Sequence, residues 1–194
     1  MSAYTVETNA TGAAYRLHWA IAGHNTVLCI DPGLRVGWAL VAPGLKQIRA
    51  GGFLVLDRSR LYACAYNMTK YLLETYTPTA LAVEDYFLGG GAHNKDSIES
   101  RGAIKAAAEH AGIPWRALHP STVRARLGVK TQSRKLTEAG IKVESKDMQV
   151  RALTVAAFGI PTHYQPGKGR EVYFPADVFD AAAVAYSADK LEGV

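Results

Sequence analysis

Residues 27–41 read VLCIDPGLRVGWALV. With Thr26 in front, TVLCI is a short β-branched, apolar run of the kind that forms a strand buried on both faces. Asp31-Pro32-Gly33 closes it with a turn signal, and Arg35–Val41 is a second apolar run. A third, QIRAGGFLVL at 47–56, follows a Pro43-Gly44 turn. Three such runs with short connections predict an antiparallel meander, and they leave Asp31 at the end of its first strand.

Further along, Leu61, Ala65, Met68, Leu72 and Leu73 recur at helical spacing within 57–76, which predicts a helix. ALAV at 80–83 is another buried strand, ending at Glu84, and the Gly-rich turn FLGGGAHN follows. A helix is expected over 96–111, stopped by Gly112, then a fifth strand at 115–119 and a short helix at 121–127. Residues 128–145 read as a basic loop, and 146–158 as a helix with Met148, Ala152 and Val155 on one side. Residues 162–174 read as a polar loop, and a last helix opens at Pro175. Strands first, then helices alternating with strands, predict an α/β domain: a mixed sheet flanked by helices, with an antiparallel meander extended by parallel strands. Residues 1–25 lack steady periodicity and are expected to be an arm or irregular lead-in to a single domain over 26–194.

The chain has 194 residues, 48% hydrophobic and 20% charged, enough for one domain with a substantial core. No apolar stretch approaches the roughly 20 residues that span a bilayer, and no basic, then apolar, leader of a secretory signal opens the chain. The expectation is a cytoplasmic protein without membrane contact, nucleoid-associated in a bacterium or phage. Cys29 and Cys64 fall in a strand-like and a helix-like run and read as reduced, buried thiols. The six histidines show no metal-ligand spacing, which argues against zinc. Net charge is +5, yet between Arg101 and Arg151 eleven basic residues face four acidic ones, so this segment alone exceeds the charge of the whole chain. Such a face suits a polyanion, most often nucleic acid.

PADVFDAAAVAYSA, from Pro175, sets Asp177 and Asp180 three residues apart at the start of an apolar run. On a helix the pair shares one face, about 5–6 Å apart at Cβ, and like charges that close raise each other's pKa unless a cation intervenes. Asp177 alone is accounted for by the helix dipole; Asp180, one turn further in, is not. Asp31 and Glu84 both end strands, where α/β sheets gather ligands. Four acids meeting on one side suit two divalent ions about 3.5–4 Å apart, a clamp for displacement at phosphorus, and magnesium favours such oxygen ligands.

VLCIDPGLRVGWALV resembles the opening strand and turn of the RuvC family of Holliday-junction resolvases. AVEDYF is similar to that family's second motif, and DVFDAAAVA to its closing D-x-x-D-A-x-A helix. The three occur in the family's order. The resemblance implies an RNase H-like fold, a homodimer, branched DNA (four-way junctions above all) as partner, and junction cutting with two magnesium ions per site, manganese substituting, and no small-molecule cofactor. It implies that Asp31, Glu84, Asp177 and Asp180 hold metal. It implies that Phe87 stacks on a base near the junction centre and that Lys146 lies near the scissile phosphate. Arg124 resembles a DNA-contacting position, and Arg101 and Arg126 complete the expected contacts. The alternatives are a related nuclease acting on forks, flaps or RNA hybrids, and a non-catalytic junction binder, which would have lost an acid. A sugar-kinase-like ATPase needs a longer chain. The small residues Gly102, Ala103, Ala106 and Ala107 suit a dimer seam and packing on the sheet equally well.

Overall fold

A computed structural model describes residues 4–8, 12–17, 25–42, 44–45, 47–85, 94–130, 144–165 and 170–189. Its main sheet has seven strands: β1 (Tyr4–Thr8), β2 (Gly12–Leu17), β3 (Val27–Asp31), β4 (Arg35–Ala42), β5 (Gln47–Val55), β6 (Ala80–Glu84) and β7 (Trp115–Leu118). They lie in the order β1-β2-β5-β4-β3-β6-β7. β3, β4 and β5 form the antiparallel meander, and β6 and β7 add to β3 in parallel. The described residues also form five α-helices: α1 (Leu61–Tyr76), α2 (Asn94–His110), α3 (Pro120–Leu127), α4 (Lys146–Phe158) and α5 (Ala176–Asp189).

Side-chain alternation along the central strands divides the core in two. Leu28, Ile30, Val36, Trp38 and Leu40 pack with Leu61, Ala65, Met68 and Leu72 of α1 and with Ala103, Ile104 and Ala108 of α2. Val27, Cys29, Ala39, Val41, Ala80 and Ala82 point the other way, onto α5, with α3 and α4 behind it. This second face of the sheet is lined by small residues, so α5 lies close against it. That explains its composition: Val178, Phe179, Ala181, Ala182, Ala183, Val184 and Ala185 are all buried. Burial also pushes the Cys29 thiol up, so it stays a protonated core residue. Among the described residues, no helix is long and apolar enough to cross a membrane.

Three expectations are corrected. Residues 4–17 are not an irregular lead-in: β1 and β2 form a hairpin that pairs with β5 and extends the sheet. Residues 162–174 are not a plain loop, because β8 (His163–Tyr164) and β9 (Val172–Tyr173) pair as a short ribbon. The ribbon's base is closed where Phe174 N donates to the Thr162 carbonyl at 2.9 Å. Finally, α4 buries Val150, Thr154 and Phe158 and leaves Met148 exposed, so its inward face is not the one expected. Thr154 is tolerated inside because its hydroxyl donates to the Val150 carbonyl at 2.7 Å. On α2, Ala103 and Ala107 are buried while Gly102 is exposed, and Ala103 packs into the core against the sheet.

Candidate active site

Alternation places the first two carboxylates. Asp31 follows Ile30 on β3 and shares the α5 face with Val27 and Cys29; Glu84 follows Val83 on β6 and shares it with Ala80 and Ala82. Because β3 and β6 run parallel with Ile30 opposite Val83, the next residue of each strand brings the two acids side by side. Their side chains are hydrogen-bonded to each other. Two carboxyls can do this only if they share a proton. They are only 4% and 3% exposed.

The second pair depends on β4. Gly37 stands opposite Asp31 in the β3–β4 register. A Cβ on Gly37 would lie 1.8 Å from the Asp177 carbonyl oxygen, so only glycine lets the first turn of α5 settle on the sheet here. That contact brings Asp177 and Asp180, one turn apart, over Asp31 and Glu84. Burial raises the pKa of Asp31 well above the usual carboxylate range, and the charges of Glu84, Asp180 and Asp177 raise it further. Asp180 is pushed up to about 7 by burial and by Glu84, partly offset by Arg124. Burial also raises Asp177, against the pull of Arg35, whose Nε lies 3.5 Å from its carboxylate. Asp31 and Asp180 are thus held where burial and the neighbouring carboxylates oppose their ionisation. As they stand, no three His, Cys, Asp or Glu side chains among the described residues are grouped closely enough to hold one ion. The donor chemistry nonetheless fits a hard divalent cation: oxygen ligands only, and a hydrogen-bonded carboxyl pair whose proton such a cation replaces.

The cationic expectations divide. Arg124, in the last turn of α3, sits within electrostatic reach of Asp180. Lys146 opens α4 and is exposed; its neighbour Asp147 also acts on Asp180, so the N-terminus of α4 borders the acids. Arg126 donates from Nη1 to the Ser187 carbonyl at 3.1 Å, bracing the end of α5. Arg101 is ion-paired with Asp85, which follows Glu84. Phe87, the Gly-rich turn and most of the basic loop, 131–143, lie outside the described residues. Sequence reasoning missed Arg35, Asp147 and Gly37. The only signal for Arg35 was a charge opening an otherwise apolar strand four residues after Asp31.

A mixed sheet of this order, with carboxylates from two adjacent parallel strands meeting a pair on a helix, defines an RNase H-like α/β fold with an acidic centre. The solved structure of T. thermophilus RuvC in complex with a Holliday junction substrate matches it with a TM-score of 0.60 at 20% identity, over 84% of this chain and 92% of that one. In sequence, the chain is 30% identical over 106 residues to the crossover junction endodeoxyribonuclease RuvC of Roseiflexus sp. (strain RS-1), which is 50% of this chain and 63% of the relative. It is 29% identical over 171 residues to the protein of the same name from Moorella thermoacetica, covering 82% of this chain and 87% of that one. No protein-family model matches the chain. In sequence the chain is thus similar to these RuvC endodeoxyribonucleases, and in fold to T. thermophilus RuvC.

Proposed function

We propose that the protein is a divalent-metal-dependent endonuclease that resolves four-way DNA junctions by paired nicks. The observation that carries this reading is the convergence of Asp31, Glu84, Asp177 and Asp180 on one face, buried and mutually repelling. No fold-stabilising reason accounts for that arrangement, whereas cation binding does.

The four carboxylates would hold magnesium, with manganese as a substitute, and when bound the metal supplies Lewis-acid stabilisation and an activated water for hydrolysis at phosphorus. The rest falls to the chain's own groups. Arg35 holds Asp177 in place while leaving half of its side chain exposed to meet a phosphate. Arg124 lowers the tendency of Asp180 to take up a proton, keeping it an anionic ligand. Lys146, at the exposed start of α4, is placed to meet charge developing on the phosphate. The basic segment from Arg101 to Arg151 supplies sequence-independent attraction to the backbone. A junction needs two cuts and this chain carries one set of acids, so a C2 homodimer is the working unit.

The test is a cleavage panel of four-way, three-way, flap and RNA–DNA hybrid substrates, with and without magnesium, run beside Asp180→Asn. Metal-dependent, paired nicking that favours the four-way substrate is expected. A preference for flaps or hybrids points to a related nuclease, and binding without cutting in any metal to a junction-binding protein.

A further inference from the structure

A cavity of about 350 Å³ lies immediately beside the acidic centre, lined by Phe53 and Val55 of β5, Tyr164 and Tyr173 of the β8–β9 ribbon, Pro175 and Arg35. Among the described residues its walls are apolar and aromatic, and its one charged lining group is the guanidinium that also touches Asp177. The ribbon is anchored firmly. Tyr164 stacks on Phe174 at 4.9 Å and meets Phe53 edge-on at 5.6 Å, while Phe174 itself is fully buried. Tyr173 is braced by the His163 ring at 3.9 Å and by the Arg151 guanidinium at 4.9 Å, yet remains 60% exposed. An exposed aromatic side chain held still by its neighbours loses little freedom on binding.

We propose that this cavity receives one unstacked nucleobase of the cut strand, next to the scissile phosphate, and so sets base preference at the cut; the inference rests on the nuclease reading above. Position and charge select this occupant. Pro175 and Arg35 line the cavity, and both border Asp177, so a phosphodiester at the acids leaves its neighbouring base at the mouth. Among the described residues, Arg35, Arg151 and the exposed Arg170 outnumber Asp177 and Glu171 on this side, which suits a polyanion better than a greasy peptide or a second basic copy of the chain. Aromatic faces take any base, and the cavity's volume of about 350 Å³ limits its size.

The cavity is tested with full-length protein and four-way junctions carrying 5-iodouracil in turn at each nucleotide flanking the cut, irradiated in EDTA. Cross-links to Tyr173 or Tyr164 are expected from one nucleotide adjoining the cleaved bond. They should disappear in Tyr173→Ala and in Val55→Trp, which fills the cavity from its rim. In magnesium, both variants should flatten the preference for the base at that position by roughly tenfold, with Tyr173→Phe retaining it. Both residues are largely exposed, so the variants should keep the wild-type melting temperature. If wild-type protein cuts junctions but no cross-link reaches the ribbon, or base preference is unchanged in both variants, the cavity has no such role and the nuclease reading stands. If wild-type protein neither binds nor cuts branched DNA, that reading falls and takes the cavity's role with it.

Discussion

Gly37 and Asp177 are in backbone contact: the space a Cβ would need on Gly37 is taken by the Asp177 carbonyl oxygen, 1.8 Å away. The opposing strand position is Asp31. One missing methyl group therefore sets the height of half the acidic centre above the other half. Gly37→Ala should lift the start of α5, cost about 1–3 kcal/mol of folding stability through overpacking, and reduce cleavage far more than that loss of folded protein explains. Urea unfolding beside single-turnover cleavage separates the two effects. A variant with normal rates would show that the acids tolerate displacement.

Asp180→Asn is expected to reduce cleavage by more than about a hundredfold while junction binding holds or tightens. The substitution removes an oxygen ligand but also a negative charge facing the phosphate. Gel-shift titration in EDTA and cleavage in magnesium measure the two arms. Near wild-type cutting would remove Asp180 from the metal set.

The raised acids make a directional claim about pH. In the unfolded chain Asp180 has a pKa of about 3.9, and in the folded chain it is pushed up to about 7 by burial and Glu84. The folded state thus binds the extra proton between these values, so its contribution is fully present below about pH 4 and is lost as pH rises through about 7. Metal-free protein should melt at a lower temperature near pH 8 than near pH 5, and Asp180→Asn should flatten that slope. Magnesium should raise the melting temperature more at the higher pH, where no proton competes for the site. A slope identical in wild type and variant would remove Asp180 as its source.

For Phe87→Ala, binding should fall modestly, because phosphate contacts carry most of the affinity, while cutting of intact junctions falls much further. A nick or mismatches at the crossover should partly rescue the variant. Equal losses on rigid and loosened junctions would mark Phe87 as a packing residue.

If two chains act together, light scattering should give twice the 20.9 kDa chain mass, and a cruciform plasmid should yield mainly linear product within one binding event. Affinity should fall by about 0.9 log units per log unit of salt for each neutralised phosphate. A monomer that linearises cruciforms in a single encounter would contradict the paired-site arrangement.

The acidic centre was largely legible because its parts are written locally. Asp31 and Glu84 each end an apolar run, and Asp177 and Asp180 share a helical face whatever surrounds them. What the sequence hid depends on partners distant along the chain. GAAYRL shows no alternation because its pairing with β5 runs along Gly51 and Gly52, where a Cβ on Gly52 would strike the Ala13 carbonyl, and YTVET, among the described residues, pairs only with GAAYRL. On α4, Met148, Ala152 and Val155 share one side by spacing, yet Met148 is exposed and Thr154 is buried, where one hydroxyl bond to the Val150 carbonyl satisfies it. Arg35 reads as an ordinary strand-opening charge until α5 folds over it.

The four acids come from opposite ends of the fold: Asp31 from the third strand, Asp177 and Asp180 from the last helix. A growing polypeptide on the ribosome displays Asp31 and Glu84 long before α5 is made, and without that helix the two have no second pair to work with. Cutting capacity is therefore expected only once α5 has been made and has settled on the sheet. A prematurely terminated product that lacks this helix is expected to leave the genome unharmed, even where it keeps enough basic surface to cling to DNA.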